Sequence, residues 1–292
     1  MEKRNFGSSG LKVSALGFGA GHIGGNEITE NEVSHLLNSI LDLGINLIDT
    51  ARGYGLSEER IGKYLSHRRS DFILSTKVGY GIPGYIDWTY DCIIAGVNEA
   101  LRIMRTDYID IVHLHSCPLG TLEYGEVIKA LNKTVEDGKV RVAAYSGENE
   151  ALKFAVESGM FGSIQTSINI TDQRNIETIL PSAKKKEMGV IAKRPLANLP
   201  WRFNETPYGE YCEEYWVRLK EMNLNFGMDW NEIAIRFAAY TFGVDSIIAG
   251  SSNIKHIKSN LEMLNKGPLP ENIYNQIRES FKSHDNDWIG QV

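Results

Sequence analysis

Eight strand-like runs, each followed by a helical pattern, succeed one another along this chain with no linker or composition break between them. The runs fall at 15–19, 45–49, 72–77, 108–115, 140–145, 163–165, 190–192 and 246–248. Parallel strands need long crossovers, and helices between strands supply them, so strict alternation implies a parallel sheet. Eight such units in about 250 residues match a closed (β/α)8 TIM barrel. Helices are expected near 91–104, 123–136, 149–158, 174–187 and 253–264. The clearest helix start is Thr29-Glu30-Asn31-Glu32, a capping box, after which Val33, Leu36, Leu37, Ile40 and Leu41 form an apolar stripe. Residues 4–16 read as an N-terminal β-hairpin around Gly7–Gly10. The expected organisation is one domain over 1–292, with the barrel at about 12–264 and a C-terminal extension at 265–292.

Composition narrows the class without naming a function. The chain is 42% hydrophobic and 23% charged, as ordinary globular proteins are, and a formal charge of −6 without basic runs argues against nucleic-acid binding. No stretch of about 18 apolar residues predicts a membrane span. The N-terminus lacks the apolar core of a signal peptide, and Cys92, Cys117 and Cys212 are odd in number and widely spaced. A cytoplasmic protein with free thiols is the expectation.

In a barrel of this kind the C-terminal strand ends form one face, where chemistry is kept. Asp49, Lys77, His115, Tyr145-Ser146, Gln165 and Lys193-Arg194 all fall at or just after strand ends, so they should converge there. The loop after Asp49 adds a phenol, Tyr54, and Ser57-Glu58-Glu59 reads as the cap of the next helix. One motif points elsewhere. Gly19-Ala20-Gly21-His22-Ile23-Gly24 matches a dinucleotide fingerprint, but such a fingerprint must open a helix, and here the helix begins only at Thr29. A glycine-rich loop at the barrel rim is the preferred reading.

These residues together resemble the aldo-keto reductases. The carriers are Leu16-Gly17-Phe18-Gly19, Asp49-Thr50-Ala51-Arg52-Gly53-Tyr54-Gly55, Ser75-Thr76-Lys77 and Tyr108 to His115. Gly138-Lys139-Val140-Arg141, Pro195-Leu196 and Ile248-Ala249-Gly250-Ser251-Ser252 with Asn260 extend the match. The resemblance implies a barrel that binds NADPH, less often NADH, and moves hydride between nicotinamide and a small-molecule carbonyl or alcohol. It implies a catalytic tetrad of Asp49, Tyr54, Lys77 and His115. Free tyrosine titrates near pH 10, and a lysine ammonium beside it favours the phenolate, which suits a proton donor in reduction and an acceptor in oxidation. Asp49 would keep Lys77 charged, and His115 would orient the substrate oxygen. For the cofactor the resemblance implies Ala20, Gly21, Asp49, Ser146, Gln165, Lys193, Arg194, Leu196, Gly250, Ser251, Asn253, His256 and Asn260.

Three departures from the family pattern stand out, the third at a pair of positions. Gly147 replaces an asparagine, Lys193 replaces the aromatic that stacks on nicotinamide, and Gly250 and His256 replace a lysine and an arginine that meet the 2′-phosphate. Lys255 and Lys258 are alternative sources of charge. His113 is a rival to His115 on the same strand face, and the pair could in principle ligate a metal; the remaining histidines lie on loops and helices, so no metal is expected. Cys117 reads as an inert neighbour. Trp201, Phe203, Tyr208, Tyr211, Tyr215 and Trp216 either pack the long loop at 193–216 or, with Tyr80, Tyr85 and Trp88, wall a substrate pocket. The functional alternatives are a reductase, a sugar or polyol dehydrogenase, and a redox-sensing regulatory module resembling potassium-channel β subunits. Substrate, direction, cofactor preference and oligomeric state stay open.

Overall fold

A computed structural model describes residues 1–291. Eight parallel strands close a barrel: β3 (Leu16–Gly19), β4 (Leu47–Asp49), β5 (Ile73–Val78), β6 (Ile109–His115), β7 (Val140–Ser146), β8 (Ser163–Ser167), β9 (Gly189–Lys193) and β10 (Ser246–Ala249). The ring runs in chain order, with β10 returning to β3. Before it, β1 (Lys3–Asn5) and β2 (Lys12–Ser14) form the expected hairpin. The helices are α1 (Glu30–Asp42), α2 (Ser57–Leu65), α3 (Tyr90–Met104), α4 (Leu119–Tyr124), α5 (Glu126–Glu136) and α6 (Asn149–Ser158). Then come α7 (Arg174–Thr178), α8 (Leu180–Lys185), α9 (Glu213–Met222), α10 (Trp230–Tyr240), α11 (Ile254–Asn265) and α12 (Glu271–His284). Among the described residues no helix is long and apolar enough to cross a membrane.

Local chemistry explains where these elements begin and break. Thr29 and Glu32 form the capping box of α1 as the sequence predicts. The helix expected at 123–136 is instead two, because Gly125 sits at φ +86°, a left-handed conformation that ends α4 before α5 starts. The pattern at 174–187 is likewise two short helices, divided at Ile179, with Pro181 in the first turn of the second. Ser57 does not cap α2. It is the first helical residue, and its hydroxyl donates to the Ala20 carbonyl at 2.9 Å. Asn46, expected within a strand, uses its amide to accept from the Ser14 N–H (2.6 Å) and donate to the Lys12 carbonyl (2.8 Å), tying the hairpin to the barrel.

Strand side chains alternate between the barrel interior and the helix layer. Ile48, Leu74, Val112, Leu114, Ala143 and Ile164 pack with the helices in the outer core. Leu47, Ile73, Ile111, Val142, Ala144 and Ile191 form a second cluster inside the barrel, with Phe6 from the hairpin. Phe6 closes the N-terminal end so tightly that a Cβ on Gly189 would lie 2.5 Å from its ring. Two or four residues further along the same interior faces stand Asp49, Ser75, Lys77, His113, His115, Ser146 and Lys193. Strand register sets Asp49 beside Ser75, Lys77 beside His113, and His115 beside Ser146. The sheet therefore changes from apolar plug to polar floor within one repeat.

Candidate active site

The floor is a continuous hydrogen-bonded line. The Lys77 ammonium donates to Asp49 Oδ2 at 2.6 Å and to the Thr50 carbonyl at 2.8 Å. Asp49 Oδ1 accepts from the Ser75 hydroxyl (2.7 Å) and from Gln165 Nε2 (2.9 Å), and Ser146 donates to Gln165 Oε1 at 3.0 Å. Asp49 and Lys77 are almost wholly buried. Burial opposes both charges, but each outweighs it for the other: Lys77 holds the Asp49 carboxyl below its ordinary range, and Asp49 raises the lysine above its own. The pair is thus ionised where a lone ion would be costly.

Tyr54 and His115 stand above this floor. Lys77 Nζ lies 5.0 Å from the Tyr54 ring centroid, and the Tyr54 and His115 rings meet edge to face at 6.1 Å. Burial first, then the Lys77 and Lys193 charges, push the His115 imidazole down to about 3, so it is neutral at ordinary pH. His113 lies one strand repeat deeper, fully buried, with Nε2 3.1 Å from the Ser75 hydroxyl. It supports the floor, and of these two histidines His115 is the one that lines the cavity. Among the described residues no three His, Cys, Asp or Glu side chains are grouped to hold a metal ion.

The glycine-rich loop serves Tyr54. Ala20–Ile23 form a single 3-10 turn and do not open α1. A Cβ on Gly24 would lie 1.8 Å from the Tyr54 carbonyl oxygen, and one on Gly21 would touch the Tyr54 ring at 3.8 Å. A side chain at Gly24 would push the tyrosine loop away from the floor, whereas a Cβ at Gly21 would make only ordinary contact with the ring.

A cavity of about 650 Å³ opens on this face. Asp49, Tyr54, Lys77, His115, Gly21, Ser146, Gln165, Lys193, Arg194, Leu196 and Gly250 line it, so most of the sequence-selected residues meet. Ala20 is buried beneath, its carbonyl taken by Ser57. Ser251, Asn253, His256 and Asn260 lie beyond Gly250, where α11 begins. There Asn253 accepts from the Lys255 N–H (3.0 Å) as its cap, Ser251 meets His256 Nδ1 at 3.0 Å, and Asn260 is buried. The sequence reading missed His22, Ser116, Asn198, Leu199, Arg202 and Glu210 as lining residues. Only His22 carried a signal, from its place inside the glycine motif.

A profile of the Aldo/keto reductase family matches residues 15–282. The chain belongs to that family. Among solved structures it resembles the aldo-keto reductase AKR11C1 from Bacillus halodurans in its holo form, with 30% identity, a TM-score of 0.83 and 96% of each chain covered. It is 32% identical over 211 residues to L-galactose dehydrogenase of Arabidopsis thaliana, spanning 68% of this chain and 66% of that protein. It is also 28% identical over 308 residues to a probable voltage-gated potassium channel subunit beta of the same plant, covering 92% and 93%. Aldo-keto reductases are oxidoreductases that use nicotinamide cofactors.

Against the family pattern, two departures now have a physical cause. A Cβ on Gly147 would lie 2.4 Å from the Tyr145 hydroxyl, so the buried Tyr145 ring occupies the space an asparagine would need. Lys193 is not free to the cavity as a bare cation, because its ammonium pairs with buried Glu148 at 3.2 Å. Burial outweighs that partner and lowers the lysine below its ordinary value. Glu148 in turn accepts from Thr166 (2.6 Å), Asn175 (3.1 Å) and the Ser167 N–H (2.8 Å), which fixes the pair. Arg194 leaves the strand at φ +54° and reaches the Tyr211 hydroxyl and the Gln291 carbonyl. Of the loop aromatics only Tyr211 lines the cavity; Trp201 stacks on Trp230 at 6.0 Å, and Trp216 donates to the Phe203 carbonyl at 2.9 Å.

Proposed function

We propose that this chain transfers hydride between a nicotinamide cofactor and a carbonyl or alcohol substrate, with Tyr54 as general acid and base. The observation that carries this reading is the buried Lys77–Asp49 pair directly beneath the Tyr54 ring. The residues present suit such a cofactor. Gly250 is a cradle with no room for a side chain, since its Cβ would fall 2.4 Å from the Gly19 carbonyl oxygen. Beyond it the start of α11 offers exposed Lys255, His256 and Lys258, a setting that favours an extra phosphate and hence NADPH over NADH.

When bound, the cofactor supplies or accepts hydride at the nicotinamide ring. The chain does the rest. Lys77 stabilises negative charge on the Tyr54 oxygen, so the phenol gives its proton to the nascent alkoxide in reduction and recovers it in oxidation. Asp49 keeps Lys77 charged, and Ser75 and Gln165 hold Asp49 in place. Neutral His115 donates a hydrogen bond to the substrate oxygen and orients it. Arg194, Arg202, Glu210 and Tyr211 make the outer wall polar, which suits a hydroxylated substrate such as a sugar better than an apolar aldehyde.

Stopped-flow oxidation of bound NADPH by a hydroxylated aldehyde and by benzaldehyde tests this reading. Faster turnover of the hydroxylated aldehyde, with a lower KM for NADPH than for NADH, is expected. A second reading, a nucleotide-binding regulatory module, draws on the missing Gly147 side chain and the Lys193–Glu148 pair where a stacking ring usually stands. Tight NADPH binding without hydride transfer to any carbonyl or from any sugar would favour it.

A further inference from the structure

Tyr80 lies on the loop after β5, and its hydroxyl is 2.8 Å from His115 Nδ1. The two rings are also stacked, 5.6 Å apart and 21° from parallel. Several neighbours hold Tyr80 there. Trp88 meets its ring edge-on at 5.9 Å, and Trp88 itself fills the space beside Gly79, where a Cβ would lie 2.1 Å from the indole. Gly53, next to Tyr54, leaves room on the other side; its Cβ would approach the Tyr80 hydroxyl to 3.2 Å. The phenol is therefore pressed between the tyrosine loop and the imidazole.

A neutral imidazole carries one proton, and the partner of one nitrogen decides which nitrogen holds it. Nδ1 faces Tyr80, whose hydroxyl has no other protein partner among the described residues, so Nε2 is left to the cavity that His115 lines. A carbonyl oxygen can be polarised only by a nitrogen that bears a proton. We propose that Tyr80 is a positioning residue: its hydroxyl donates to His115 Nδ1 and fixes the imidazole as the Nε2–H tautomer, with that N–H aimed at the substrate oxygen. This rests on the reading of His115 as the group that orients the substrate.

The variant Tyr80→Phe keeps the stacked ring and removes only the hydroxyl. In the NADP-loaded protein, nitrogen NMR of labelled histidines, with His115 assigned from the His115→Gln spectrum, reads the tautomer directly. The expected result is a single Nε2–H form in the wild type and a tautomer mixture in Tyr80→Phe. The kcat for carbonyl reduction should fall about three- to tenfold, the worth of one hydrogen bond, with KM for the cofactor unchanged. In a His115→Gln background the same substitution should have no further effect on kcat, whereas a merely structural role would still lower it. A proton on Nδ1 in the wild type, or unchanged tautomer and kcat in Tyr80→Phe, overturns the proposal. A wild type that reduces no carbonyl would defeat the reading of the reaction, while the NMR result would still decide the role of Tyr80.

Discussion

The lower and upper halves of the barrel interior are built by the same strands, one or two repeats apart, yet they do opposite work. On β5 the inward series is Ile73, Ser75, Lys77; on β6 it is Ile111, His113, His115. The lower positions join Phe6, Leu47, Val142 and Ile191 in a cluster that stabilises by removing apolar surface from water. The upper positions hold an ion pair, two neutral imidazoles and an amide that burial alone would penalise. They persist because nearly all are paired: Lys77 with Asp49, Asp49 with Gln165 and Ser75, His113 through Nε2 with Ser75, and His115 with Tyr80, while the buried Nδ1 of His113 has no partner among the described residues. Within the barrel interior the bottom adds stability, and part of it is consumed holding charge in place at the top.

Substitutions at the two ends should separate these roles. Lys77→Met strands a buried carboxylate, so it should lower stability by about 3–5 kcal/mol and abolish turnover together. Phe6→Ala opens the bottom plug at a similar thermodynamic cost, about 3–5 kcal/mol, but should leave kcat per folded molecule unchanged. Denaturant titration with parallel assays checks both; an active Lys77→Met variant, or an inactive but folded Phe6→Ala, would break the division.

A smaller effect sharpens the crowding at the mouth. Gly147→Asn should cost about 1–3 kcal/mol, because the new side chain meets the Tyr145 phenol. Combined with Tyr145→Leu the two changes should couple favourably in thermal unfolding. Strict additivity would mean that the phenol is not the obstacle.

The pH dependence is gentler and has a fixed sign. Burial lowers His113 from 6.5 to about 4, and His115 from 6.5 to about 3. Above pH 6.5 neither the folded nor the unfolded chain protonates these rings, and their neutral burial carries no pH penalty. As pH falls from about 6.5 toward 4, the unfolded chain binds protons that the fold excludes, so stability declines by up to about 1.4 kcal/mol per pH unit per imidazole. His113→Gln should remove one share of that slope in urea titrations run across this range. An identical slope would contradict a neutral, buried His113.

Much of this division was legible in the sequence because periodicity reports which face of an element is apolar. The hairpin, the eight strands and the convergence of Asp49, Lys77 and His115 follow from spacing alone. What spacing does not report is which residue stands across from which. The breaks at Gly125 and Ile179 interrupt apolar patterns that read as continuous: a left-handed turn at Gly125 ends one helix while preserving the buried face, and at Ile179 the chain stays right-handed but Pro181 opens a new helix. Ser57 resembled a cap, but tertiary contact with Ala20 claimed its hydroxyl. Tyr80 read as one of several pocket aromatics because its partner lies 35 residues away on the next strand. Gly147 stands out in the sequence as a departure from the asparagine of the family pattern, and the reason for it, the Tyr145 ring in that space, lies in tertiary packing.

The central claim is that the polar floor exists to make Tyr54 a proton donor and acceptor. Tyr54→Phe removes one oxygen above an intact Lys77–Asp49 pair, so its melting temperature and NADPH affinity should match the wild type. The hydride-transfer step, followed by stopped-flow oxidation of bound NADPH, should slow by about 10²–10⁴-fold. Near-normal transfer in that variant would contradict the account.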